Sequence, residues 1–176
     1  MTRRGEEQAF LGDLRNRREK VGATKFIENP GTLEGGDILV TENQVFVGES
    51  RRTNLDGIRQ LSIYFGSSKV RRVKTNLFHL LGACSYLSDR RIILAPHLIS
   101  AESFPGFELI LIPKEEAYAA NVLYLGDAEV LIPSGYPRTK RKLEEAGYKP
   151  VEIENSEFHK GDGSLTCLCS PIYTVL

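Results

Sequence analysis

Net charge, long apolar runs and cysteine are all scarce in this chain, and each shortage removes a class of function. Its 23 Lys and Arg balance 23 Asp and Glu, for a formal charge of +0. Without an overall field, no nucleic acid or anionic membrane is expected as a partner. No apolar run approaches the roughly 18–20 residues that a membrane span requires. The start, Met1-Thr-Arg-Arg-Gly-Glu-Glu, has no apolar stretch of the kind a secretory signal carries. Cys84, Cys167 and Cys169 make an odd set without metal-ligand spacing, and Cys167-Leu-Cys169 suits neither a zinc site nor a disulfide. The expectation is a reducing, cytoplasmic setting with no metal and no cofactor. What is present, 176 residues at 41% hydrophobic, is enough to bury one core, so residues 1–176 are expected to form a single domain.

The spacing of apolar residues predicts a repeated unit. Arg3 to Lys20 reads as an amphipathic helix ending before Gly22, and Thr24-Lys-Phe-Ile-Glu28 as a strand stopped by Asn29-Pro30-Gly31. Two strands then follow, Asp37–Thr41 and Gln44–Gly48, at hairpin spacing. A helix over Thr53–Phe65 stops at Gly66, and a strand over Lys69–Val73 closes the unit. The same order recurs in Cys84–Leu87, Arg91–Leu94, a short helical turn near Ser100–Phe104, and Glu108–Ile112. It recurs again in Asn121–Leu125, Glu129–Ile132, a helix from Pro137 to Ala146, and Pro150–Ile153. Pro137 in the first helical turn and Gly147 just past the end are start and stop signals. A lone strand over Ser164–Ile172, carrying Cys167, is expected last. The chain therefore reads as α/β, with three strand–strand–helix–strand units between end fragments.

Chemistry is concentrated at three places: Leu33-Glu34-Gly-Gly-Asp37, Leu77-Phe-His79-Leu80, and Asp162-Gly-Ser-Leu-Thr-Cys167. An acid, a histidine and a cysteine, each beside a strand-like run, are the parts of a thiol nucleophile with its base and a charge partner. Each also has a plain structural reading. A free cysteine is often a small buried hydrophobe, a histidine among apolar neighbours is often a hydrogen-bonded core residue, and Glu-Gly-Gly-Asp can be only a turn. His97, after Pro96, reads as a surface residue; His159 lies close to Cys167 in sequence but on a polar turn. Glu34 and His79 each stand where a repeat unit begins, and Cys167 also follows a turn into a strand; in a quasi-circular array such entry points converge on one axis, which groups the three. Arg51-Arg52-Thr53-Asn54 opens a helix: Thr53 or Asn54 can cap it, and an arginine there can clamp a carboxylate.

Taken together, Leu33-Glu34-Gly-Gly-Asp-Ile-Leu, Phe46-Val-Gly48 through Ser50-Arg-Arg52-Thr-Asn54, Leu77-Phe-His79-Leu80, Ala119-Ala-Asn121 and Asp162-Gly-Ser-Leu-Thr-Cys167 closely resemble the dimethylarginine dimethylaminohydrolases. These belong to a wider guanidino-group-modifying superfamily with arginine deiminases and amidinotransferases. The resemblance implies an α/β propeller, pentein-like, of ββαβ units around a central channel. It implies hydrolysis of the guanidinium C–N bond of an Nω-methylated arginine to citrulline and a methylamine, with arginine deiminase-like chemistry on another guanidino substrate as the alternative. By motif, Cys167 resembles the nucleophile, His79 the general acid/base and Glu34 the acid that supports the histidine. Arg52 resembles an arginine that binds the substrate's α-carboxylate, one of the opening arginines, most simply Arg3, aligns with a second substrate-binding arginine, and Gly161 falls where the family offers a backbone contact. Leu81 stands where this branch often has lysine. The family also carries a further unit and a half before the position of Arg3, with an acidic segment that holds the guanidinium. The expectation is an incomplete ring with an open edge, and with it a chain that self-associates or has a disordered C-terminus, or a site completed by a complementary N-terminal chain.

Overall fold

In the computed structural model, residues 5–16 and 24–169 are described. Helix α1 spans Glu6–Asn16; the remainder of the helix expected over Arg3–Lys20, Arg3 itself and residues 170–172 lie outside the described residues. Three units follow in the order the sequence predicts. The first holds β1 (Ile38–Val40), β2 (Val45–Glu49), α2 (Leu55–Phe65) and β3 (Val70–Lys74). The second holds β4 (Cys84–Tyr86), β5 (Arg91–Leu94), a single 3-10 turn at Ala101–Ser103, and β6 (Glu108–Leu111). The third holds β7 (Leu123–Gly126), β8 (Glu129–Pro133), α3 (Pro137–Glu145) and β9 (Lys149–Ile153), and α4 (Ser156–Lys160) comes after it. Each unit is its own three-stranded sheet: the first two strands pair antiparallel, and the strand after the helical segment returns parallel to the middle one.

Strand β5 shows why adjacent units adhere. Its sequence, Arg-Ile-Ile-Leu followed by Ala95, does not alternate polar and apolar residues, because both of its faces are covered. Ile92 and Leu94 pack with Phe46 and Val73 of the first unit, whereas Ile93 and Ala95 pack with Val130 and Ile132 of the third. Period-two alternation thus divides one strand between two cores. Phe46 meets Phe104 edge-on at 5.0 Å between ring centres, closing the first of these cores.

Helix α2 starts at Asn54, whose side chain accepts from the Gly57 amide at 2.9 Å and from the Thr32 amide at 3.0 Å. Of the two capping candidates it is Asn54 that caps; Thr53 is engaged elsewhere. Gly57 is where α2 crosses the incoming chain: a β-carbon there would lie 2.1 Å from the Thr32 carbonyl oxygen. A methyl group against backbone cannot be relieved by a rotamer change. Gly57→Ala is therefore expected to cost roughly 1–3 kcal/mol, as overpacking does, read as a lower midpoint in urea with an unchanged slope.

Among the described residues, two expected strands do not form. Thr24–Glu28 is irregular: the Glu28 amide donates to the Gln60 side chain at 2.8 Å and the Glu28 carbonyl accepts from the same side chain, so these groups enter no ladder. Around Cys167 the chain makes a 3-10 turn, Leu165–Leu168. A further 3-10 segment at Lys114–Ala120, unexpected from the sequence, supplies the cap of α3: buried Glu116 accepts from the Arg138 amide at 3.1 Å and from the Thr139 amide at 2.6 Å. Among the described residues, no helix is long and apolar enough to cross a membrane.

Candidate active site

Three short turns carry the acid, the histidine and the cysteine. Glu34 directly precedes the turn Gly35–Asp37, and His79 directly precedes the turn Leu80–Gly82, both with extended backbone. These equivalent positions meet: Glu34 Oε2 lies 2.6 Å from His79 Nε2. Gly36 makes the approach possible, because a β-carbon there would stand 2.7 Å from Cγ and 2.8 Å from Nδ1 of the imidazole. Only a residue without a side chain lets the first turn lie against that ring.

Glu34 is shared between two cationic or donor groups. Its Oε1 accepts from Arg52 Nε at 2.8 Å and Nη2 at 2.5 Å. Burial works to raise the Glu34 carboxyl, but the hydrogen bonds from Arg52 and His79 outweigh it and hold the group below its ordinary value of 4.5. An ionised carboxylate can only accept. His79 therefore carries its proton on Nε2 when neutral, which leaves Nδ1 as the basic nitrogen. Because the folded value is depressed, Glu34 adds stability that is present above 4.5 and is lost as pH falls below it through the folded value. The stability gap between the parent chain and Glu34→Gln, measured by chemical denaturation, is expected to be widest at neutral pH and to close on acidification across that window.

Asp37 fastens these pieces together. Fully buried, it accepts from Ser50 Oγ and Thr53 Oγ1 at 2.7 Å each on Oδ2, and from the Leu80 amide at 2.9 Å on Oδ1. Thr53 Oγ1 also accepts from the Glu34 amide at 3.1 Å. The run Arg52-Thr53-Asn54 is thus fully employed, on Glu34, on Asp37 and on the start of α2 respectively.

Cys167 is exposed, its amide bonded to the Ser164 carbonyl at 3.0 Å and its Sγ 3.3 Å from Ser164 Oγ. The segment is a turn and not a strand because its amides are taken locally and by Asn121, whose Oδ1 accepts from the Thr166 amide at 3.0 Å. Asn121 Nδ2 donates both to Thr166 Oγ1 at 2.7 Å and to the Leu81 carbonyl at 2.8 Å. The cysteine turn is thereby tied to the histidine turn. Gly161 lies just past α4 on the segment leading to Cys167, where Tyr118 donates to the Gly163 carbonyl at 2.7 Å and accepts from Asn155 at 2.9 Å.

The other thiols and imidazoles stand apart. Burial pushes the Cys84 thiol far up, leaving it a core side chain. Burial first, then the neighbouring Cys167, raises Cys169. His97 is exposed, as its place after Pro96 suggests, and His159 stacks on Tyr118 with ring centres 3.6 Å apart. Asn121, Thr166 and Tyr118 were not predicted as site residues; Asn121 and Thr166 stand in the family patterns Ala119-Ala-Asn121 and Asp162-Gly-Ser-Leu-Thr-Cys167, and nothing local in the sequence marks Tyr118.

An N(G),N(G)-dimethylarginine dimethylaminohydrolase of Pseudomonas aeruginosa is 36% identical over 95% of this chain and 66% of its own length. The chain belongs to the dimethylarginine dimethylaminohydrolase family. The structure of the Pseudomonas aeruginosa family member, a Cys-to-Ser mutant complexed with citrulline, superimposes with a TM-score of 0.84 at 34% identity, covering 94% of this chain and 65% of that one. An uncharacterised protein of Aeropyrum pernix is 42% identical over 99% of this chain and 65% of its own length. The chain thus spans just under two thirds of the length of these relatives. No protein-family model matches it.

Proposed function

We propose that this chain hydrolyses the guanidinium C–N bond of an Nω-methylated arginine, giving citrulline and a methylamine, within a pentein-like α/β propeller of ββαβ units. The observation that carries the reading is the 2.6 Å contact between Glu34 and His79 Nε2, which leaves His79 Nδ1 to move protons. Cys167 Sγ, as thiolate, attacks the guanidinium carbon. His79 gives a proton to the departing amine nitrogen as the C–N bond breaks, leaving a thiouronium carbon on sulfur. Water then bonds to that carbon while losing a proton to His79, and the C–S bond breaks to return the thiolate and release citrulline. Glu34 holds the imidazole and stabilises its cationic form. Arg52, whose guanidinium also holds Glu34, is assigned to the substrate's α-carboxylate, Arg3 to a second contact with the substrate, and Gly161 to a backbone contact. No metal or cofactor enters the scheme.

The α-carboxylate assignment predicts the substrate order. Product release from dimethylarginine, arginine and agmatine, measured in parallel, is expected to favour the free amino acids, and dimethylarginine among them. Preference for agmatine, which has no carboxylate, would remove Arg52 from that role.

The three separate three-stranded sheets, whose outer strands pair with no further strand among the described residues, favour a second reading, in which the chain self-associates through an open sheet edge or a complementary polypeptide completes the site. Activity that appears only on adding the N-terminal segment of a full-length relative supports it. Full activity of the monomeric chain alone excludes it.

A further inference from the structure

We propose that Asn121 is a positioning residue that couples Cys167 to His79. The inference rests on the assignment of those two residues as nucleophile and acid/base, and goes beyond it. Asn121 directly follows the 3-10 segment Lys114–Ala120 and is 2% exposed. Its amide is committed to two sides at once. One Nδ2 hydrogen goes to the Leu81 carbonyl at 2.8 Å, in the turn that begins at His79; the other goes to Thr166 Oγ1 at 2.7 Å, beside Cys167. Its Oδ1 takes the Thr166 amide at 3.0 Å. Among the contacts within the described residues, this bridge links the nucleophile's turn to the turn behind the histidine.

The geometry explains why an amide is needed. The Leu81 carbonyl takes a donor, Thr166 Oγ1 accepts a second, and the Thr166 amide requires an acceptor; only Asn or Gln offers two donors and an acceptor on one planar group. Gln is longer by a methylene in a buried place. Aspartate keeps the acceptor and can take the Thr166 hydroxyl as a donor, but it turns the contact with the Leu81 carbonyl into an oxygen–oxygen repulsion. The histidine turn is independently fixed by Asp37 on the Leu80 amide, so loss of the Asn121 bridge frees mainly the cysteine side. Tyr118 on the Gly163 carbonyl holds the segment further upstream and does not replace the bond at Thr166.

The test reads Cys167 directly and does not depend on turnover. The full chain is alkylated with iodoacetamide across a range of pH, and Cys167 and Cys169 are quantified separately by peptide mass spectrometry. His79→Ala is expected to slow alkylation of Cys167 about ten-fold near neutral pH, within the range by which members of one hydrogen-bond network couple. In an Asn121→Ala or Asn121→Asp background the same His79 substitution is expected to have almost no further effect, while Cys169 is unchanged throughout. Thr166→Val, a half-exposed substitution that cuts only the cysteine side of the bridge, serves where the Asn121 variants unfold, and is expected to lose part of the coupling. A His79 effect that persists in full in both the Asn121 and Thr166 variants overturns the positioning role and leaves the catalytic assignment standing. No His79 effect in the parent chain overturns both.

Discussion

His79→Ala is expected to lower citrulline production by about 10³- to 10⁴-fold, the upper part of what a positioned acid/base supplies. The size follows from double use: the same Nδ1 delivers a proton to the leaving amine and later takes one from water, so both chemical steps lose their catalyst. The loss is expected in kcat more than in KM, because the imidazole is engaged by Glu34 at 2.6 Å and is assigned no ground-state contact to the substrate. Glu34→Gln is expected to be milder, since it weakens the partner of the imidazole without removing the imidazole. Steady-state kinetics of the two variants, in the chain or in its completed assembly, check the order; equal losses would mean that Glu34 takes part in proton transfer itself.

Asp37→Ala is expected to cause the largest loss of stability of any single substitution near the site, about 3–5 kcal/mol. Three donors, Ser50 Oγ, Thr53 Oγ1 and the Leu80 amide, converge on this fully buried carboxylate. Truncation strands all of them, at about 1–3 kcal/mol for each buried group left unpaired, less what entering water recovers. The damage reaches the histidine, because the Leu80 amide fixes the turn that begins at His79. Urea unfolding followed by far-UV circular dichroism measures it. A change below 1 kcal/mol, the order of one ordinary hydrogen bond, would show that Asp37 is not the fastening described here.

How far the fold could be read from the residues depended on where each segment's backbone partners lie. Where partners are regular and near, as in β5 with its doubly covered apolar run or α2 with Asn54 before it and Gly66 after it, pattern and structure agree. Thr24–Glu28 and the Cys167 segment are equally β-prone, yet their backbone groups are satisfied by side chains far along the chain, Gln60 and Asn121. No local pattern encodes such a partner. Glu116 on the start of α3 is a third instance, a cap delivered from the segment that joins the second unit to the third. Within the site, Glu34 and His79 were legible because both stand at equivalent places in a repeat, and equivalence brought them together. Their wiring through Asp37, Thr53 and Asn121 was not legible, since a buried hydrogen-bond node has no periodicity.

The most direct measurement is the covalent state of Cys167 during reaction. Dimethylarginine is mixed with the chain, alone and with the complementary segment of a full-length relative, quenched in acid, and digested for peptide mass spectrometry alongside a citrulline assay. The account predicts a modified peptide at Cys167 whose added mass equals the substrate less dimethylamine, with Cys84 and Cys169 unmodified, and neither adduct nor citrulline in Cys167→Ser. Citrulline formed by Cys167→Ser at the parental rate, or no adduct and no citrulline under either condition, would contradict it.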